Sequence, residues 1–382
     1  MSKYCIKFRP LEVYTLGTEQ SSEYSGVNST GKESYIETSG IIPDQTTLFG
    51  TLRYLVLKKK GLLNSGFNYS QEDAEKINRL IGSESFKFKT GENGEQNFGC
   101  IKAMSSMFIV GDDGDILVKN PFCNIVTRKQ KPGRGKLYPY NPIRMGENMI
   151  TSHGKIRLPL DFNAKQCYGS GFMVINSDGV LQDVTDTNDI FKKHIRTGNQ
   201  SNAFGERGEK AFFKREVVEM NPEYSFAVIA DIADNVFDDK EQMTANIGRK
   251  GSTFIVQIEK LAEDSNLYGG IEKYVEAAFT AYVERHEVKD VWYYALSDIY
   301  CSEDIINSNS NGYAMILKKY IRNIETVLSE NGYHKKRKKN ERINLIEKGS
   351  VFFFDPCSIQ SDAYKNCKKA GYNAVIRLGG NE

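Results

Sequence analysis

Histidine is scarce in this 382-residue chain. His153, His194, His286 and His334 are the whole set, and none stands at metal-ligand spacing from another histidine or from a cysteine. Neither a His-Glu-x-x-His helix nor a Gly-x-Ser-x-Gly elbow occurs, which argues against zinc-peptidase and serine-hydrolase chemistry. The seven cysteines (residues 5, 100, 123, 167, 301, 357 and 367) form no Cys-x-x-Cys pair. That odd, unpaired set argues against a disulfide framework and against zinc, and fits reduced thiols in the cytoplasm. There is no run of 18 apolar residues, so no membrane-spanning helix and no membrane partner is expected. The opening MSKYCIKFRPLEVYTLG alternates as a strand does and lacks the continuous apolar stretch of a signal peptide. GVNSTGKE at 26–33 spaces Gly26, Gly31 and Lys32 as a P-loop does. Glu33 stands where a Ser or Thr should hold magnesium, and the preceding EQSSEYS is no buried strand, so no nucleotide cofactor is expected.

What is present is an ordinary globular composition, 40% hydrophobic and 26% charged. The net charge of +2 says nothing about nucleic acid, but its distribution does. No acidic residue falls between Ile116 and Gly146, where Lys119, Arg128, Lys129, Lys131, Arg134, Lys136 and Arg144 accompany Tyr138 and Tyr140. FKKHIRTGNQSNAFGERGEKAFFKRE is a second basic stretch, and HKKRKKNER is a third, which taken alone reads as a flexible surface run. Cations interleaved with aromatics suit a phosphate backbone with stacked bases.

The element order predicts an α+β fold. A strand over residues 3–14 leads through a polar connection to helices at 44–60 and 70–82. Glycine-rich short strands and turns fill 85–212 and read as a large β-rich insertion. GDDGD at 111–115 is expected to be a hairpin turn rather than a metal loop. Regular structure resumes with the strand EYSFAVIADI, a helix near 235–246 and the strand STFIVQIEKL. After residue 262 two short segments precede the strand KDVWYYALSDIY, a helix around 312–331, the strand GSVFFFDP, a helix at 361–370 and the strand YNAVIRLGG. A split βαβ unit over 1–262 and a second unit over 263–382 are therefore expected. The first helix has a core stripe of Leu48, Leu52, Leu55 and Val56, and an odd second face of Thr46, Gly50, Arg53, Leu57 and Lys60. A glycine inside a helix costs about 1 kcal/mol relative to alanine, so something is expected to approach Gly50 closely.

SGIIPDQTTLFGTLRYLVL resembles the first-helix motif of the RAMP superfamily of CRISPR-associated proteins, in which a Gly/Pro-rich entry precedes a Thr-x-x-Gly-x-x-Arg helix. AFFKREVVEMNPEYSFAVIADI and NIGRKGSTFIVQIE resemble segments of the Cas five-like branch. EKGSVFFFD and AGYNAVIRLGG are similar to the Gly-Ser-Val-Tyr-Phe strand and terminal glycine-rich segment of third subunits of type III-B (Cmr) effector complexes. The resemblance implies two ferredoxin-like (RRM-like) RAMP domains and a non-catalytic, RNA-binding role in antiviral defence. It implies binding of the repeat-derived 5′ tag of a crRNA, indirect contact with target RNA, and assembly with a large polymerase-like subunit and backbone RAMP subunits.

On that resemblance Thr46 and Thr47 offer hydroxyls and helix-terminal amides, Gly50 admits the RNA backbone, and Arg53, as an exposed cation, meets a phosphate. FGERGEKAFFKRE acts as a thumb: Phe204 stacks on a base, Gly205 and Gly208 allow a bend, and Arg207, Lys210, Lys214 and Arg215 neutralise phosphates. Arg249 and Lys250 join Arg53, and Gly379 and Gly380 close the terminal glycine-rich segment. A crRNA-processing endoribonuclease of the same superfamily would place a histidine or tyrosine base near the first helix. The first histidine here is His153, and His194 is the one acid–base candidate. A small-molecule α+β enzyme would need a nucleophile or acid–base constellation, and no segment supplies one. No catalytic residue, metal or cofactor is expected.

Overall fold

A computed structural model describes residues 1–18, 22–27, 33–63, 69–83, 85–88, 94–126, 145–152, 154–159, 167–199, 212–248, 251–286, 292–300, 314–315, 318–321, 324–328, 335–339, 342–352 and 362–378. The fold is mixed α+β, dominated by antiparallel sheet with few helices. At its centre lies the first strand, Ser2–Pro10. Alternation sends Tyr4, Ile6 and Phe8 into one apolar cluster and Cys5 into the other. Its neighbours are Tyr224–Ile232 and Ser252–Lys260, both antiparallel, with Phe8 opposite Phe226 on one side and Val256 on the other.

Outward from Tyr224–Ile232 the same sheet takes in Phe108–Gly111, Ile116–Lys119, Phe172–Ile175 and Leu181–Thr185; Ile101–Met104 also pairs with Tyr224–Ile232. Lys240–Ile247 closes the far edge. Several strands of the 85–212 stretch are therefore part of the central sheet. GDDGD forms the expected hairpin turn between Phe108–Gly111 and Ile116–Lys119, with Gly114 at φ 90°.

One face of this sheet carries helix α1 (Gln45–Lys59), whose Leu48, Leu52, Leu55 and Val56 are completely buried. Helix α2 (Gln71–Ile81) lies beside α1 and starts at Ser70, whose Oγ accepts from Asp73 N at 3.1 Å. The helix Ile271–His286 supplies Ile271, Val275, Ala278 and Phe279 to the cluster on the other face. That cluster also contains Trp292, Tyr294, Ile376 and Leu378, so residues before and after 262 share a core. Near the C-terminus Trp292–Ala295 lies between Val351–Phe352 and Val375–Leu378, with Ala314–Met315 beyond.

Two expected helices are strands. Residues 235–246 form a turn, with Asn235 at φ 63°, followed by the strand Lys240–Ile247. Within 312–331 lie Ala314–Met315, Lys318–Ile321 and Ile324–Leu328, the last pairing with Lys335–Lys339 of the basic run. In each expected unit, one segment read as a helix is thus strand among the described residues. Where two short segments are expected after residue 262, the structure holds the long helix Ile271–His286.

Candidate nucleic-acid interface

Helix α1 has an occupied start and an open flank. Asp44 precedes the first turn, but its carboxylate caps no amide of α1. It accepts instead from Lys319 Nζ at 2.6 Å, and the same ammonium donates to Asp298 Oδ2 at 2.9 Å. Burial opposes ionisation of Asp298, yet Lys319, Lys348 and the donated hydrogen bonds outweigh it and hold the carboxyl below its usual range. Burial likewise disfavours the Lys319 charge, and the two carboxylates more than compensate, raising that pKa well above the ordinary lysine value. Thr46 N donates to the Tyr372 hydroxyl at 3.2 Å, and Thr47 N to Asp44 O at 2.9 Å. Gln45, also buried, donates to Ser105 O at 2.6 Å and accepts from Met107 N at 3.1 Å. The amides expected to meet RNA are therefore engaged within the chain, leaving Thr46 and Thr47 only their half-buried side chains.

The flank differs. Gly50 is exposed, and a Cβ built there would meet nothing within 4 Å, so this chain's own packing does not require the glycine. Arg53, three residues on, is half-buried rather than exposed, which corrects the expectation of a surface cation. Its Nη2 donates to Gly82 O at 3.2 Å, at the end of α2, while Nε is buried without a partner. No carboxylate among the described residues pairs with it, and burial pulls its pKa down, to about 10. Tyr54 beside it is 41% exposed. The later cations of α1 are taken: Lys58 Nζ donates to Thr244 O at 2.8 Å, Lys59 pairs with Asp238 at 2.7 Å, and Lys60 donates to Asn235 O at 2.8 Å.

A second candidate surface is the hairpin of Phe191–Asn199 and Phe212–Met220, in register from Phe191 opposite Met220 to Asn199 opposite Phe212. At about 3.3 Å per residue, nine-residue strands make an arm about 30 Å long. Buried Val217 and Val218 anchor its base, and residues 192–197 are all exposed, Ile195 at 60%. The described strands carry five cations (Lys192, Lys193, Arg196, Lys214 and Arg215) against two carboxylates. Lys193 pairs with Glu216 at 2.9 Å, and Arg215 with Glu37 at 3.0 Å. His194 Nε2 lies 2.8 Å from Glu219 Oε2. Lys192, Arg196 and Lys214 have no carboxylate partner among the described residues. Arg196 also stands directly across from Arg215, an unfavourable like-charge pair.

Phe204, Gly205, Arg207, Gly208 and Lys210, at the far end of this arm, lie outside the described residues, as do Arg249, Lys250, Gly379 and Gly380. The same holds for residues 127–144 of the acid-free basic stretch. Of the expected site residues, the structure thus places Thr46, Thr47, Gly50 and Arg53 on α1 and Lys214 and Arg215 on the arm. Sequence reasoning passed over Lys192 and Arg196 as site residues, although the basic stretch contained them. It also gave no sign of Lys319 as the partner of Asp44. Among the described residues no group of His, Cys, Asp and Glu could hold a metal, and no helix is long and apolar enough to cross a membrane.

No family model matches the chain, and no curated protein matches it. Among solved structures, it is similar to a chain of the Type III-B Cmr-beta complex bound to cognate target RNA. The identity is 14%, 98% of this chain and 96% of that one are covered, and the TM-score is 0.47. A chain of the same complex with cognate target RNA and AMPPnP gives 15% identity over 97% and 94% of the two chains, with a TM-score of 0.45. A chain of the apo complex gives 10% identity over 69% and 98%, with a TM-score of 0.28.

Proposed function

We propose that this chain is a non-catalytic RNA-binding subunit of a type III-B CRISPR effector complex, holding the 5′ tag of a crRNA across the open flank of α1 and the basic arm. The observation that carries this reading is Arg53. A guanidinium drawn out of water without a counter-charge is costly, and an anion supplied from outside relieves that cost. Gly50, one turn earlier, leaves open space beside it. A phosphate backbone fits both features, and Tyr54 offers a ring to an adjacent base. Lys192, Arg196 and Lys214 extend the positive surface along the arm. The ordered RAMP motifs supply the rest of the reading: the tag, the polymerase-like and backbone partner subunits, and the antiviral setting.

Absorbance at 260 against 280 nm of the purified chain tests for retained RNA. Binding of single-stranded repeat RNA across a salt series tests the phosphate contacts, each contributing a log–log slope of about −0.7. A nucleic-acid-free protein with no affinity for repeat RNA rejects the proposal.

One observation favours a second reading. The His194–Glu219 pair is a carboxylate-oriented imidazole on the arm, the geometry of an acid–base group. If the purified chain cuts repeat RNA and His194→Ala abolishes the cut, the processing endoribonuclease replaces the passive subunit.

A further inference from the structure

We propose that the outer edge of the basic arm adds a strand from a partner protein, an extended segment with acidic residues at alternate positions. The sheet that carries the arm runs Phe191–Asn199, Phe212–Met220, Glu33–Glu37 and Ser22–Val27. Phe191–Asn199 therefore has no strand on its outer side among the described residues. Two sets of hydrogen bonds fix which of its backbone groups face outward. Asn221 N donates to Ile190 O at 2.8 Å, so the pair that extends the register at the base of the arm is a hydrogen-bonded one. On the inner strand, Val218 exchanges bonds of 2.8 Å in both directions with Tyr14, so its backbone points away from Lys193 opposite it. Antiparallel pairs alternate between bonded and non-bonded. The N–H and C=O groups of Lys193, Ile195 and Thr197 thus all point outward. Residues 192–197 are all exposed, so nothing covers this row. The register runs from Phe191 to Asn199 without a bulge, and no proline interrupts it. Edges of this length are ordinarily blunted, because they recruit other strands. Here Glu33–Glu37 and Tyr14 hold the inner strand from its far side and fix the edge before any partner arrives.

The row alternates donors and acceptors, which is what another strand offers in return. A phosphate backbone only accepts and leaves the three carbonyls unanswered. The side chains give the partner's chemistry. Alternation puts Lys192, His194 and Arg196 on one face of the strand and Lys193, Ile195 and Thr197 on the other. On the first face Glu219 lies 2.8 Å from His194, while Lys192 and Arg196 have no carboxylate partner among the described residues. On the second face Lys193 is matched by Glu216, and Ile195 is 60% exposed. An added strand meets unmatched cations on one face and an apolar side chain on the other, which calls for Glu or Asp alternating with β-branched residues. A second copy of this chain does not fit, since two such edges would set the same cations against each other. The proposal goes beyond the RNA reading and uses backbone groups that reading leaves idle.

The test is fluorescence anisotropy of the full chain with a labelled, acetylated and amidated heptapeptide that alternates glutamate and valine. Saturable binding is expected, and a peptide alternating lysine and valine should not bind. Ile195→Pro removes one outward N–H and none of the arm's own ladder, a position where an edge strand tolerates proline. It should weaken peptide binding about tenfold or more and leave the binding of single-stranded repeat RNA unchanged. The glutamate–valine peptide N-methylated at every residue keeps its charge and loses its donors, and the wild type should not bind it. That comparison needs no protein variant, so it decides the matter even if Ile195→Pro disturbs the hairpin. Absence of saturable binding, or equal binding of the N-methylated peptide, overturns the proposal. If the N-methylated peptide binds as well as its parent and repeat RNA displaces both, the arm is a charged surface for RNA alone. Absence of RNA binding with peptide binding intact rejects the crRNA reading alone.

Discussion

Lys319 and Arg53 are both half-buried cations held against α1, and the chain treats them oppositely. Lys319 at the start of the helix has two carboxylates, Asp44 and Asp298, within 2.9 Å. Arg53 midway along has none among the described residues, and a buried Nε without any partner. The first arrangement closes its electrostatics internally and ties α1 to the C-terminal region. The second leaves them open. The arm repeats the contrast within one hairpin, where Arg215 is neutralised by Glu37 while Arg196 across from it is not. A cation is therefore better judged as structural or ligand-seeking by its counter-charge than by its exposure.

The comparison breaks most visibly at Lys319. Lys319→Met strands Asp298 and Asp44 without their cation, and chemical unfolding should show a loss of about 3 kcal/mol. Asp298 also gives the wild type an acid limb. Because its folded pKa is lowered, its stabilisation is complete above the ordinary carboxylate pKa of about 4 and is lost as pH falls through the lowered value. Asp298→Asn should flatten that part of the stability–pH curve. If Lys319→Met unfolds no more easily than the wild type, the triad is not a clamp.

Next in size is the arm. Replacing Lys192, Arg196 and Lys214 together by Ala should cut the salt slope of RNA binding by about 2 and affinity about a hundredfold, with stability within about 0.5 kcal/mol. A slope that does not change places the RNA elsewhere.

Arg53→Met should follow, with retention about tenfold weaker and the slope smaller by about 0.7. The substitution removes an uncompensated charge along with one hydrogen bond, so denaturation should register a change within about 1 kcal/mol. Marked destabilisation would class Arg53 with Lys319 and dissolve the contrast.

Gly50→Ala is the smallest and the most diagnostic, because its two effects have opposite signs. The Cβ meets nothing in this chain, so stability should rise by up to about 1 kcal/mol. RNA retention should fall as the methyl occupies the approach. If retention holds while stability rises, Gly50 admits no backbone.

Much of this was legible in residue pattern. The stripe of Leu48, Leu52, Leu55 and Val56, the GDDGD hairpin and α2 were all announced by spacing or turn chemistry. Lys240–Ile247 misled because its residues suit a helix locally, whereas its buried members, Ala245 and Ile247, alternate at period two on a sheet edge. The segment around 324–328 is rich in β-branched Ile324, Thr326 and Val327, and pairing with Lys335–Lys339 decided its conformation. Helix Ile271–His286 did carry a signal, since Ile271, Val275, Ala278 and Phe279 recur at helical spacing. The missing counter-charge of Arg53 and the pairing of Asp44 with a lysine 275 residues away had no sequence signature, because both depend on what the whole fold brings near.

The central strand Ser2–Pro10 has a consequence for synthesis. It leaves the ribosome well before its neighbours, Tyr224–Ile232 and Ser252–Lys260, with Tyr4 facing Lys260. At about 5–20 residues per second, the strand stays without either partner for on the order of tens of seconds. Throughout that interval both of its edges and its apolar Tyr4, Ile6 and Phe8 are open to other nascent chains. Ribosome spacing and chaperone occupancy, more than final stability, should then govern how much soluble protein a cell obtains.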